Sequence, residues 1–240
     1  MKDRLLAQTF VQLADTLAGN FDAVDFLHVV VSGSTGLLET DAAGVVLADA
    51  KGRLRVVAAS DERARLLELL SLQLSEGVGF DAHVSGELVS ADLAASTERW
   101  PAFAPSALEI GYRSVCAFPL RMRDTPLGAL TVFRRSSVPL TPDQVVLGKA
   151  LADVAAIGLL QQRAVRQAEL LAEQLQQALD SRVLLEQAKG VLAERLDLDV
   201  SEAFHVLRRA ARNSNTRLSD YARMVIESPR ASPGPEGHRR

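Results

Sequence analysis

Cysteine is almost missing from this chain: Cys116 is the only one in 240 residues. A single thiol excludes an intramolecular disulfide framework and a multi-cysteine zinc site, and it suits a reducing compartment. Aromatic residues are also scarce, at 5%, so the core must be built from Leu, Val and Ala. No apolar run reaches the ~18 residues of a membrane span; Leu151 to Leu160 comes nearest and contains Asp153. The start, Met1-Lys2-Asp3-Arg4, mixes both charge signs and lacks the uninterrupted apolar stretch of a signal peptide. A cytoplasmic location is the expectation. His28, His83, His205 and His238 are dispersed without metal-ligand spacing. Glycine-rich phosphate-binding motifs, a nucleophile elbow and a convergent Cys-His pair are all absent, which argues against an enzyme.

An excess of one charge is lacking too. Apolar residues make up 48% and charged residues 24%, an ordinary globular balance, with a net charge of −3. Residues 1–160 hold 14 Lys/Arg and 19 Asp/Glu, whereas residues 181–228 hold 8 and 7, a net of +1. Any affinity for phosphate must therefore come from local clustering rather than from a basic domain.

What is present divides by periodicity. Leu5, Leu6, Val11, Leu13, Ala14 and Leu17 follow a helical period, and Gly19-Asn20 offers a stop. A second helical run covers residues 22–31, after which Gly33 and Gly36 are expected to loosen the chain. Ala43 to Asp49 and Leu54 to Ala59 read as strands of a hairpin around Asp49-Ala-Lys-Gly52. A helix comes next, from Asp61 to Leu74, with Leu66, Leu69, Leu70 and Leu74 as its apolar face. The glycines and prolines between Ser75 and Gly111 predict a loop-rich stretch. Ser114 to Arg123 and Leu127 to Phe133 form a second hairpin about Asp124-Thr-Pro126. Thr141-Pro142-Asp143 is a helix start with a hydroxyl cap, a first-turn proline and an acid. Leu160, Ala164, Ala168, Leu171, Leu175, Ala178 and Val183 then mark one apolar stripe among Glu and Gln, as in a short coiled coil, with packing on its own domain as the alternative.

The expected fold is an α+β domain, an antiparallel sheet with flanking helices, followed by a long linking helix and an all-α three-helix module. Its last helices are a continuation through Leu196, one opened by the capping box Asp199-Val-Ser-Glu202 with Ala203, Phe204 and Leu207 in the core, and one around Leu218 to Ile226. Gly190 is read as permitting close helix approach.

Residues 180–227 carry Glu186-Gln-Ala-Lys-Gly-Val-Leu-Ala-Glu-Arg195, Ser201-Glu-Ala-Phe204, Leu207-Arg208, Ala210-Ala-Arg212, Asn215, Leu218 and Ala222 in order and without a large gap. This resembles the ANTAR module of transcription antitermination regulators. Asp41 to Asp49, Leu66 to Gln73, Trp100-Pro101, Gly111-Tyr-Arg-Ser114, Phe118-Pro-Leu-Arg121 and Leu127-Gly-Ala-Leu130 resemble the GAF domain that precedes ANTAR in many bacterial proteins. The chain departs from many relatives at Val78-Gly79, where they carry Pro-Cys. On this resemblance the domains are a sensor at 1–160, a linking helix or short coiled coil at 161–180, an RNA-binding module at 181–228 and a disordered tail at 229–240. It implies a dimer that binds stem-loop RNA in a nascent transcript and prevents a terminator from forming.

RNA hairpins are held through phosphates and 2′-hydroxyls and read on exposed loop bases. Lys189, Arg208, Arg209, Arg212 and Arg217 could supply the cations, and Asn213 and Asn215 the base-edge contacts. Arg208 and Arg212 share a helix face; a solvated face paired to Glu194 or Glu202 is the alternative. Phe204 reads as core, with stacking on a base as its alternative. In the GAF-like half, His83, Trp100, Tyr112, Arg113 and Cys116 could border a pocket for a small-molecule or protein signal, and no cofactor is identified. Cys116, in an apolar strand, reads as a buried hydrophobe. Two other functions stay open: a DNA-binding helix-turn-helix regulator, and a dimerising adaptor that binds no nucleic acid.

Overall fold

Strand alternation with apolar residues at nearly every position demands a sheet covered on both faces. The computed structural model, which describes residues 2–18, 22–49, 51–123 and 125–228, contains such a sheet. Contacts divide the chain into two units, residues 1–165 and 166–240. In the first, strands β1 (Ala42–Ala48), β2 (Leu54–Ala59), β3 (Val89–Asp92), β4 (Ser114–Met122) and β5 (Thr125–Arg134) form one antiparallel sheet of order β2-β1-β5-β4-β3. Alternation along β4 sends Cys116, Phe118 and Leu120 to one face and Val115 and Ala117 to the other.

The first face packs against α1 (Lys2–Ala18), α2 (Ala23–Leu38) and the beginning of α6 (Pro142–Leu196), through Leu13, Leu27, Val30, Leu151, Ala155 and Leu159. The second packs against α3 (Glu62–Leu74), α4 (Val78–Ser85) and α5 (Phe103–Ile110), through Leu67, Val78, Ala82, Phe103 and Ala107. α6 opens on a reciprocal cap: the Gln144 amide nitrogen donates to Thr141 Oγ1 at 3.3 Å, and the Thr141 amide donates to Gln144 Oε1 at 2.9 Å. Gln144 Nε2 also donates to the Leu38 carbonyl at 2.8 Å, tying the start of α6 to the end of α2.

Three local expectations are corrected. α2 does not loosen after Val31 but runs to Leu38; a Cβ on Gly33 would lie 2.6 Å from Thr9 Cγ2, so the glycine serves close packing with α1. Residues 75–111 hold two eight-residue helices, α4 and α5, rather than mainly loop. Their glycines act as punctuation: Gly77, Gly86 and Gly111 have φ of 103°, 69° and 102° at the helix boundaries, a region L-residues avoid. The third concerns α3, which turns Ala64, Leu67, Glu68 and Ser71 to the sheet and leaves Leu66, Leu69 and Leu74 exposed.

In the second unit, the later part of α6 packs with α7 (Val200–Asn213) and α8 (Leu218–Glu227). Ala188, Leu207 and Ala222 are buried together, with Leu184, Leu192, Leu218, Tyr221 and Val225 around them. Asp199 caps α7, accepting from the Ser201 amide at 2.6 Å and the Glu202 amide at 2.9 Å. Arg195 clamps the end of α8, donating to the carbonyls of Val225 at 3.1 Å and Ser228 at 2.8 Å. The α6 stripe is uncovered from Ala164 on, and Leu171, Leu175 and Val183, with Leu170 and Leu179 beside them, are each at least 50% exposed. No helix among the described residues is long and apolar enough to cross a membrane. The expected stop at Gly19-Asn20 and the tail at 229–240 lie outside the described residues, as do Ala50 and Asp124 of the two hairpin turns.

Candidate nucleic-acid interface

Burial of Ala203, Leu207 and Ala211, each four residues apart, fixes how α7 is turned. Phe204, Arg208 and Arg212 keep the same spacing along one flank of that buried stripe. Glu202, Arg209 and Asn213 lie on the outward side beyond them, where Arg209, three residues from Arg212, is its neighbour on the helix surface. Arg208, Arg209 and Arg212 are exposed, and among the described residues their guanidinium groups make no ion pair or hydrogen bond.

Lys189 reaches the Phe204 flank from α6. Its Nζ stands 5.6 Å from the centroid of the Phe204 ring and 2.8 Å from Glu186 Oε2. Periodicity assigns Phe204 to the core; it is instead half-buried and stands outside the cluster of Ala188, Leu207 and Ala222. Its spacing from Arg208 and Arg212 is the one sequence signal for this flank. A Cβ at Gly190 would meet nothing within 4 Å, so close helix packing within the chain is not its role. Asn213, Asn215 and Arg217 are exposed. Asn215 has a backbone duty as well: its φ of 51° makes the turn after α7, where the Thr216 amide donates to the Ala211 carbonyl at 2.9 Å.

In the first unit the five pocket candidates are not gathered together. Trp100 and Tyr112 are buried on the α3–α5 side of the sheet and Cys116 on the other. Trp100 Nε1 donates to Asp81 Oδ2 at 3.1 Å, and Arg99 pairs with the same oxygen at 2.7 Å while lying 4.8 Å from the indole centroid. Tyr112 packs on Phe133 at 5.1 Å. Arg113 is exposed and donates to the carbonyls of Leu108 and Tyr112 at 3.1 and 3.0 Å. His83 is half-buried on α4, its Nδ1 has no hydrogen-bond partner among the described residues, and desolvation lowers its pKa. Burial pushes the Cys116 thiol up to about 11. His83 borders a cleft of about 210 Å³ with Arg121, Arg123 and Pro126, whereas a cleft of about 500 Å³ lined by Phe80, Asp81, Val84, Leu88 and Arg99, and one of about 450 Å³ lined by Phe118, Arg121, Lys149 and Asp153, are bordered by none of the five.

Sequence reasoning missed Glu68. It is 1% exposed and faces the sheet between β1, β5 and α4. A Cβ on Gly44 would lie 3.1 Å from its Oε1, and one on Gly79 would lie 3.4 Å from its Oε2. Among the described residues, Glu68 Oε1 and Thr131 Oγ1 have no hydrogen-bond partner of normal geometry. Burial pushes the Glu68 carboxyl up to about 7, and the adjacent Thr131 hydroxyl draws it back only weakly.

The first unit is a β2-β1-β5-β4-β3 sheet with helices on both faces, and it is joined in sequence to a three-helix module. The chain belongs to the GAF domain family, whose model matches residues 22–159, and carries an ANTAR domain matched over residues 173–226. GAF domains sense signals and ANTAR domains are RNA-binding antitermination domains; both are regulatory and generally non-enzymatic. The GAF domain of an Acinetobacter phosphoenolpyruvate-protein phosphotransferase superposes with a TM-score of 0.52 at 17% identity, covering 67% of this chain and 95% of that one. A GAF domain from the Coxiella burnetii phosphotransferase gives 0.52 and 17%, covering 69% and 98%. At that identity the likeness establishes the fold. No curated protein matches the chain.

Proposed function

We propose that the chain is a signal-responsive regulator of transcription antitermination that binds stem-loop RNA in nascent transcripts as a homodimer. The observation that carries this is the flank of Lys189, Arg208 and Arg212 on the ANTAR domain, where both arginines are exposed and unpaired among the described residues. Free guanidinium groups four residues apart suit successive phosphate contacts. The remaining candidates, Arg209, Asn213, Asn215 and Arg217, add contacts at the margin. The sensor occupies residues 1–160, the linking segment 161–180 and the RNA-binding module 181–228. A small-molecule or protein signal acts on the GAF domain, and α6, helical from Pro142 to Leu196, transmits it by changing the spacing of two RNA modules in the dimer.

Binding of the whole chain to a pool of structured RNA hairpins across a salt series tests the reading. Wild type is expected to bind tightly at low salt and to weaken as salt rises. Arg208→Ala/Arg212→Ala should bind less tightly, with a log–log salt slope shallower by about 2. No hairpin binding by wild type at low salt refutes the reading, and a preference for duplex DNA favours a helix-turn-helix mode instead.

A further inference from the structure

We infer that Phe204, braced by Lys189, is a stacking platform for an unpaired base in the RNA loop and is what separates hairpins from plain duplex. This rests on the RNA-binding reading and adds a residue and a selectivity to it. The core of the second unit is aliphatic and closes on Ala188, Leu207 and Ala222 without the Phe204 ring. A large aromatic side chain is thus left half-buried on the surface that also bears the free arginines. In the first unit Phe26, Phe103, Phe118 and Phe133 are fully buried and the half-buried Phe10 packs against the core that holds Phe26 and Phe118, while Phe80, also half-buried, lines the cleft of about 500 Å³.

Lys189 explains how the ring is held ready. Its side chain is only 18% exposed, lies along the module instead of extending into water, and places its ammonium 5.6 Å from the ring centroid while Glu186 accepts from it at 2.8 Å. A cation at that distance is attracted to the ring and restrains it. Arg208 and Arg212 come after Phe204 on the same flank, about 6 and 12 Å further along the helix axis. A nucleotide stacked on Phe204 therefore has cations within reach of its own phosphate and the next. A base inside a duplex has both faces covered and gains nothing from such a platform, whereas a splayed loop base does.

The test uses the full-length protein with three probes: a pool of RNA hairpins with randomised loops, the same stem as a blunt duplex, and hairpins carrying 2-aminopurine at each loop position in turn. Phe204→Leu, which keeps an apolar side chain but no aromatic face, should lose about tenfold in hairpin affinity. Its salt slope and its affinity for the blunt duplex should match wild type, and Phe204→Trp should restore hairpin binding. With wild-type protein, 2-aminopurine at one loop position should be quenched on binding, a readout that needs no variant to fold. The platform is overturned if Phe204→Leu binds hairpins like wild type, if it loses hairpin and duplex affinity equally, or if no loop position is quenched at saturation. Failure of wild type to bind any hairpin overturns the RNA reading itself, a different outcome from wild-type binding that is indifferent to Phe204.

Discussion

Glu68 ties the stability of the GAF domain to pH in a direction opposite to that of most carboxylates. In the folded chain burial raises its pKa from 4.5 to about 7, while the unfolded chain leaves it at its ordinary value. Between those values the folded state keeps a proton that the unfolded state releases, so the stability it contributes is full below 4.5 and is lost as pH rises toward 7. At ~1.4 kcal/mol per pKa unit the loss levels off at about 3 kcal/mol. Glu68→Gln keeps the shape and removes the titration. The variant should therefore match wild type near pH 4.5 and exceed it by about 2–3 kcal/mol at pH 8, a gain of roughly 5–10 °C in the midpoint of the GAF transition. Thermal unfolding followed by circular dichroism, with both proteins run at half-unit steps from pH 4.5 to 8.5, reads the difference and cancels every other titrating group. Parallel pH profiles would refute the reasoning, as would a wild type that gains on the variant as pH rises.

Cys116 should be silent toward a thiol reagent at pH 8 in the native protein, because burial holds its pKa near 11, and should react with one equivalent once the chain is unfolded; rapid native labelling would contradict its placement under α6. Deletions in α6 near Gln174 separate a transmitting helix from an inert one. Removing seven residues turns the rest of the helix by only about 20°, whereas removing two turns it by roughly 160°. Hairpin affinity of the full chain should survive the first deletion far better than the second, and equal affinities would argue against transmission through the helix.

Legibility in the sequence tracks the range of the interaction. Both hairpins, the capped start of α6 and the order of the ANTAR helices depend on neighbours within a few residues, and alternation alone puts Cys116 among apolar partners. α3 is misread because four leucines, Leu66, Leu69, Leu70 and Leu74, make a more hydrophobic face than Ala64, Leu67, Glu68 and Ser71. What decides between the two faces is the room left opposite by Gly44 on β1 and Gly79 on α4, neither of which the periodicity of α3 reveals. The helices at 78–85 and 103–110 are hidden for a related reason: glycines that end helices and Pro105 in the first turn of α5 look the same as glycines and prolines of a loop. Phe204 is assigned to the core by its apolar character, although its spacing from Arg208 and Arg212 holds the information that places it on their flank.

The exposed stretch of α6 bears on how the RNA-binding module holds together. Its buried side chains are one leucine, Leu207, and four alanines, Ala188, Ala203, Ala211 and Ala222, and a helical module of some 50 residues with so small a core is expected to be only marginally stable alone. Leu170, Leu171, Leu175 and Leu179 just before it, and Val183 at its start, stand at least half exposed on the same helix. Covering a side chain of that size contributes about 1.5–3 kcal/mol when burial is complete, and less here because part of each is already covered. In the proposed homodimer that gain falls on α6, which is also one of the three helices of the module. Dimerisation then stabilises the fold of the module by mass action, so that protein concentration sets how much of the chain is competent to hold RNA, and pairing of the helices and binding of RNA become linked equilibria rather than successive, independent steps.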